Sequence, residues 1–297
     1  MIRVNNIDKQ FEKEQILRDV TFHVHKGSIY GLLGSNGAGK TTLMRMIAGI
    51  LKQSNGTIRV EDQNVFENKD IKGRMIFLPD NPYFFAQYST RQMANFYRDM
   101  YPNWDEERYQ KLKQVFDLDE NKKLSRFSKG MQRQASFWIS LSAMPDVFVL
   151  DEPFDGLDAV MRKKIKHLII QDVAEREMTV LISSHNLREV EDLCDHIGIL
   201  HKGEVLMEKE LDDLKADVHK VQVAFTDEQP LPAELDIVYQ EKRGSVHLLI
   251  VRGKEADISA IMKQHNPVVY DRLALTLEEI FIYEMGGAGY AIENILV

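Results

Sequence analysis

The chain has 297 residues, 44% of them hydrophobic and 28% charged, an ordinary balance that excludes disordered and fibrous classes and leaves room for one large or two modest domains. Its formal net charge is −8, from 38 Lys and Arg against 46 Asp and Glu, so there is no general basic footprint and nucleic acid is not an expected partner. No run approaches 18 uninterrupted apolar residues, no signal-peptide pattern opens the sequence, and Cys194 is the only cysteine; the expected setting is the cytoplasm, with no internal disulfide and Cys194 a buried thiol on the apolar side of a helix.

In chain order, residues 2–7 and 20–24 alternate like half-buried strands, with Val20, Phe22 and Val24 on one face and Thr21, His23 and His25 on the other. His23 and His25 have the spacing of metal ligands, but no third ligand is near in sequence and a solvated strand face is the stronger reading. Between these strands Phe11 sits in the polar segment Asp8–Lys13, where an exposed ring suits stacking on a base. Ser28–Leu33 then reads as a buried strand and Thr41–Ile50 as a helix, with Gly34-Ser35-Asn36-Gly37-Ala38-Gly39-Lys40-Thr41-Thr42 between them. Strand, G-x-x-x-x-G-K-[ST], helix is a phosphate cradle: the glycines let successive backbone N–H groups turn inward, and the helix adds about half a positive charge at its N-terminus. Lys40 supplies a full charge, and the Thr41 hydroxyl suits Mg²⁺.

Thr57–Val60 is a further strand, and Met75–Leu78 is an apolar run closed by Pro79-Asp80-Asn81-Pro82. Beyond it the period lengthens from two to about 3.6, which predicts a helical insertion with helices over 91–100 and 106–116, the second capped by Asp105. The aromatic cluster Tyr83, Phe84, Phe85 and Tyr88 reads first as the core of that insertion and second as a docking surface. Val147–Glu152 is a continuous apolar run ended by Asp151 and Glu152, the pattern of a central parallel strand whose C-terminal tip carries chemistry. Thr179–Ser183 and Ile197–Leu200 follow as strands, the first ending at Ser184-His185, so the class is α/β with its chemistry at strand C-termini.

The phosphate loop, the helical insertion, Ser128-Lys129-Gly130-Met131-Gln132-Arg133, Val149-Leu150-Asp151-Glu152-Pro153, Gly156-Leu157-Asp158 and His185 occur in that order. Over about residues 2–215 this resembles the ABC ATPase family, and the resemblance implies a P-loop NTPase fold: a RecA-like core with an antiparallel β subdomain and a helical subdomain over about 82–140. It implies ATP and Mg²⁺ as cofactors. Residues Ser35 to Thr42 would hold the phosphates, with Lys40 on the outer ones and Thr42 near the α-phosphate; Thr41 and Asp151 would hold the metal, with Asp80 a further metal-site carboxylate acting through a metal-bound water, and Phe11 would stack on adenine. Glu152 matches the catalytic carboxylate, His185 the switch histidine, and Ser128 with Gly130 the signature loop that covers the nucleotide of a partner subunit. The signature departs from the commonest Leu-Ser-Gly-Gly-Gln, and Asp80 stands where the family places a metal-sensing glutamine.

Residues 216–297 read as a small α+β accessory domain, with strands near 220–225, 246–251 and 268–275, a helix over 257–264 and another from Thr276, where Glu279 completes a capping box. Thr276-Leu277-Glu278-Glu279-Ile280-Phe281 resembles the close of export-type bacterial members, and Gly286–Gly289 reads as a hinge to an apolar tail. The implied function is the ATP-hydrolysing subunit of an ABC transporter, an exporter, peripheral on the inner face of the cell membrane. Its implied partners are a second ATPase subunit and a transmembrane permease; a soluble relative acting on ribosomes or DNA is the alternative.

Overall fold

The computed structural model describes residues 1–226 and 230–280. Its internal contacts group the chain into two units, Met1–Glu208 and Lys209 onward. The glycine-rich hinge, the apolar tail and the later part of the helix from Thr276 lie outside the described residues.

The first unit opens with a four-stranded sheet in the order β2-β1-β4-β5, built from β1 (Ile2–Phe11), β2 (Glu14–Val24), β4 (Asn55–Val60) and β5 (Gln63–Asn64). Its strands pair antiparallel. The register of β1 against β2 shifts between Val4 and Ile7, with Asn6 at positive φ, so Ile2, Val4 and Ile7 all reach the buried face although their spacing breaks alternation. The bulge carries the strand past residue 7 to Phe11, four residues beyond the limit that alternation suggests. Val20, Phe22 and Val24 are buried as expected.

The second sheet has six strands in the order β10-β9-β3-β8-β7-β6, comprising β3 (Ile29–Leu33), β6 (Met75–Leu78), β7 (Val147–Asp151), β8 (Thr179–Ser184), β9 (His196–His201) and β10 (Glu204–Glu210). β3 pairs parallel with β8 and β9, and β7 pairs parallel with β6 and β8. Parallel strands covered on both faces need apolar side chains at every position, and all five residues of β3 and of β7 are buried. Between the sheets lies α1 (Lys40–Ile47), whose Leu43, Met44, Met46 and Ile47 join one core with Ile2, Val4, Val20 and Leu181. A short helix, α2 (Lys69–Lys72), precedes β6.

The helical insertion contains α3 (Thr90–Met100), α4 (Glu106–Phe116) and α5 (Lys129–Ser142). Ser89 and Gln92 form a capping box on α3, and the Asp105 side chain accepts from the Arg108 backbone N–H at the start of α4, as its sequence position predicts. Trp138 and Tyr109 stack at 4.7 Å in the core of this layer, and the indole N–H donates to the Tyr109 carbonyl. The aromatic cluster takes the other course from the core role first expected of it. Tyr83 is 79% exposed, and Phe85, itself exposed, meets the exposed rings of Tyr88 at 4.9 Å, Phe96 at 5.2 Å and Tyr83 at 6.3 Å, while Phe84 is half-buried.

After β7 come α6 (Ala159–Arg176) and α7 (Leu187–Glu191). Cys194 is buried, but it lies in the turn after α7 and not on a helix, and burial pushes its thiol well above the ordinary value. Asp172, at the end of α6, is fully buried and accepts from two guanidiniums: Arg108 of α4 at 2.5 Å and Arg176 one helical turn on at 3.0 Å. Arg176 also donates to the Pro145 carbonyl at 2.6 Å. One buried carboxylate thus fastens the helical insertion to the parallel core.

The second unit contains α8 (Leu211–Ala216) and a four-stranded sheet in the order β12-β13-β11-β14, from β11 (Val218–Ala224), β12 (Asp236–Arg243), β13 (Val246–Arg252) and β14 (Val269–Leu273). Ile258 and Met262 of α9 (Glu255–Gln264) pack on Val221, Val223, Leu249 and Val251. Thr276 and Glu279 exchange the capping-box bonds, and Lys220 of β11 pairs with Glu279 at 2.6 Å.

Replacing Asp172 with Ala leaves two guanidiniums facing each other without their anion. The expected cost is about 3 kcal/mol, read as a lower urea midpoint, whereas a change within experimental error would show that the fork is not a structural tie.

Candidate functional site

The loop from Gly34 to Gly39 crosses from the C-terminal end of β3 to the start of α1. Gly39 caps the helix at φ +106, where a Cβ would also lie 2.7 Å from Leu17, so this corner demands glycine. Lys40 is only 6% exposed and bends back over the loop, donating to the Gly34 carbonyl at 2.6 Å and to that of Ser35 at 3.3 Å. Its ammonium is also 3.5 Å from Glu152 Oε1.

At the tip of β7, Asp151 is 1% exposed and its two oxygens take separate partners. Oδ1 accepts from the Ser183 hydroxyl at 2.5 Å and Oδ2 from the Thr41 hydroxyl at 2.7 Å. The chain then turns through Glu152 at φ +46, a region unfavourable for a side chain with a Cβ, and the Ser183 hydroxyl accepts from the Glu152 N–H at 3.0 Å. This bend aims Glu152 Oε2 at His185 Nδ1, 2.9 Å away. Glu152, Asp155 and His185 are the single grouping of His, Cys, Asp and Glu among the described residues compact enough for a metal ion. Asp80 and Asp151 stand outside that grouping, while Thr41 and Asp151 are joined directly.

A cleft is lined by Glu14, Ile16, Asp80 and Glu152 together with Ser35, Asn36, Gly37, Gly39, Lys40, Thr41 and Thr42. The structure therefore brings the loop, Asp80 and Glu152 together from β3, β6 and β7. Ala38 is buried behind the loop, where its carbonyl accepts from the Gly203 N–H at 3.2 Å. Phe11 stands outside the lining, 44% exposed, with the Lys9 ammonium 4.5 Å from its ring centre; Glu14 and Ile16 form that wall instead. Ser128 and Gly130 are also absent from the lining. Ser128 caps α5 through the Met131 N–H at 3.2 Å, and a Cβ on Gly130 would meet the Gly156 carbonyl at 2.6 Å, so this loop is seated on the turn after β7.

Three contributors escape a reading of the sequence. Ser183 is an ordinary strand-end serine by its letters, yet it braces both Asp151 and Glu152. Arg133, on α5, reaches back to Asp80 across 53 residues. Glu189, on α7, accepts from the Ser184 hydroxyl at 3.3 Å and pairs with Arg162 at 3.2 Å, bracing the turn that carries His185. Burial pushes the Glu189 carboxyl above its ordinary value, and the Arg162 charge offsets part of that rise.

These features define a P-loop nucleotide hydrolase with an inserted helical subdomain. The family described as ABC transporter matches residues 17–155. The chain is 33% identical over 288 residues to the ABC transporter ATP-binding protein YtrB of Bacillus subtilis (strain 168), covering 97% of this chain and 99% of that one. It is 34% identical over 218 residues to the bacitracin transport ATP-binding protein BcrA of Bacillus licheniformis, covering 72% and 71% respectively. A solved structure described as the ATP binding subunit of an ABC transporter superposes with a TM-score of 0.68 at 26% identity, over 72% of this chain and 92% of that one. The chain belongs to the ATP-binding proteins of ABC transporters, and its enzymatic class is ABC ATPase.

The raised Glu189 carboxyl has a pH signature. Its folded-state value lies above the unfolded value near 4.5, so as pH rises past about 4.5 the unfolded chain loses this proton first and stability falls until the folded group also ionises. Glu189→Gln lacks this titration. Wild-type minus variant stability is expected to decline from pH 4 to neutrality in urea titrations, and a flat difference would refute the assignment.

Proposed function

We propose that this ATPase drives a separate transmembrane permease as an exporter, from the inner face of the cell membrane, by closing on a second ATPase subunit around ATP and Mg²⁺. The observation that carries the dimeric part is the composition of the cleft: it gathers Lys40, Thr41, Asp80 and Glu152 but leaves out Ser128 and Gly130. Helix-start N–H groups and a serine hydroxyl are suitable phosphate ligands, and here they stand away from the chain's own phosphate loop. Such an arrangement is half a site, completed by the same loop of another subunit.

Within the half-site each residue has a task. The N–H groups of Ser35 to Thr42 receive the phosphates, and Lys40 exchanges the Gly34 carbonyl for phosphate oxygens. Thr41 and Asp151 offer oxygen donors alone, the set Mg²⁺ prefers, and the metal supplies charge neutralisation on the outer phosphates. Glu152, released from Lys40, orients the attacking water and takes its proton. His185 fixes the Glu152 carboxylate through Oε2 and stands 43% exposed by its side chain, open to a terminal phosphate. Phe11 remains the candidate for the adenine ring, a role that needs the exposed ring to turn into the cleft.

The permease surface is assigned to the aromatic edge of the helical insertion. A groove of about 350 Å³ lined by Arg45, Phe77, Tyr83, Phe84, Met93 and Tyr97 lies beside the exposed rings. An exposed aromatic patch of this kind marks an interaction site. No helix among the described residues is long and apolar enough to cross a membrane. The direction of transport rests on the Thr276–Phe281 segment and on the likeness to a bacitracin transport protein.

Glu152→Gln is expected to keep ATP binding, to lower turnover about 100-fold and to accumulate a nucleotide-bound dimer by size exclusion; normal turnover by a monomer would overturn this. Lys40→Ala instead weakens nucleotide binding itself, by about tenfold. Tyr83→Asp is expected to abolish co-purification with a multi-span membrane protein while the chain still binds ATP. Recovery of the wild type with no membrane partner would refute the transporter reading.

A further inference from the structure

We infer that Arg133 is a positioning residue for the nucleotide cleft: it neutralises Asp80 from behind and ties it to the helix that carries the signature loop. The inference rests on the ATP reading above and adds a residue to it. Asp80 sits just beyond the tip of β6 and lines the cleft with Glu14 and Glu152, three carboxylates against one lysine. Lys40 is itself engaged by Glu152. An acid at this rim faces a ligand carrying three or four negative charges, and its uncompensated field would weaken binding.

Arg133 removes that field. It is 4% exposed, and its guanidinium points to one place: it donates to the Pro79 carbonyl at 3.2 Å, to the Asp80 carbonyl, and to Asp80 Oδ1 at 3.0 Å. Asp80 Oδ2 is held separately by the Asn81 amide at 2.9 Å. A buried guanidinium needs its anion as much as the anion needs it, so the two residues form one neutral unit. Arg133 lies on α5, five residues beyond the Ser128 cap, so the same fork joins the rim of the cleft to the start of the signature helix. Carbonyl bonds fix the geometry and the carboxylate bond fixes the charge.

The test is a double-mutant cycle on nucleotide affinity, measured with a fluorescent ATP analogue in EDTA so that no metal contributes. Arg133→Gln exposes the Asp80 charge and is expected to raise Kd about fivefold, the effect of one unscreened charge near a polyanion. Asp80→Asn together with Arg133→Gln restores neutrality and is expected to return Kd to within about twofold of wild type. A double variant no better than Arg133→Gln would overturn the inference, because a purely structural tie is not repaired by losing its second partner. Should Arg133→Gln fail to fold, Asp80→Asn alone decides: it leaves Arg133 with surplus positive charge, so binding should tighten and become more salt-sensitive, and unchanged or weaker binding refutes the proposal. A wild type that binds no nucleotide refutes the ATP reading itself, whereas normal wild-type binding with a failed cycle refutes only the role of Arg133.

Discussion

Asp151 is a carboxylate taken almost wholly out of water and held by two hydroxyls, and the rest of the first unit is arranged around that cost. An ionised carboxylate with neutral partners in a buried position is expensive, so whatever brings Thr41 and Ser183 to it must be firmly built. The parallel sheet provides this. β7 pairs with β8 so that Asp151 lies opposite Ser183, and β3 pairs with β8 so that the loop leaving Leu33 returns at Thr41. Three neighbouring strand ends thus converge on one group. A divalent cation there would offset the burial directly.

Much of this was legible because it is local. The loop between β3 and α1, the apolar run ending in two acids and the caps of α4 each depend on residues within a few positions, and the chain adopts them where their letters stand. What the letters did not show depends on distant or collective facts. The Asn5–Asn6 bulge extends β1 by letting Ile7 rejoin the buried face, a correction to alternation that only pairing with β2 reveals. Arg133 and Asp80 are 53 positions apart, Arg108 and Asp172 64 apart, and no periodicity links such residues. Whether an aromatic cluster is core or surface is not local either: Trp138, Tyr109 and Phe116 stack in the buried helical layer, while Tyr83 and Phe85 stay exposed.

The site residues divide along the same line. The loop, Asp80 and Glu152 share a cleft because they follow the C-terminal ends of β3, β6 and β7, strands of one parallel sheet in which β8 separates β3 from β7. Phe11 lies at the end of β1 in the antiparallel sheet, beside the turn at Glu12, and Ser128 opens a helix in the insertion. These two come from separate sheets and layers, and strand order alone does not carry them to the phosphate loop.

The attachments of the helical insertion share a chemistry. Arg108 grips Asp172, and Arg133 grips Pro79 and Asp80, while apolar contact with the sheet comes from α5, where Phe137 meets Phe148 edge to face at 6.2 Å. Interdigitated apolar surfaces hold one arrangement, because shifting them opens voids. Guanidinium forks instead trade one acceptor for another at a net cost near 1 kcal/mol per bond, provided a new acceptor is at hand. The carbonyls of Pro79, Asp80 and Pro145 supply such acceptors beside each carboxylate. The insertion is thus held to the parallel sheet by two unlike means, apolar packing along α5 and guanidinium forks whose carboxylate and carbonyl acceptors lie side by side.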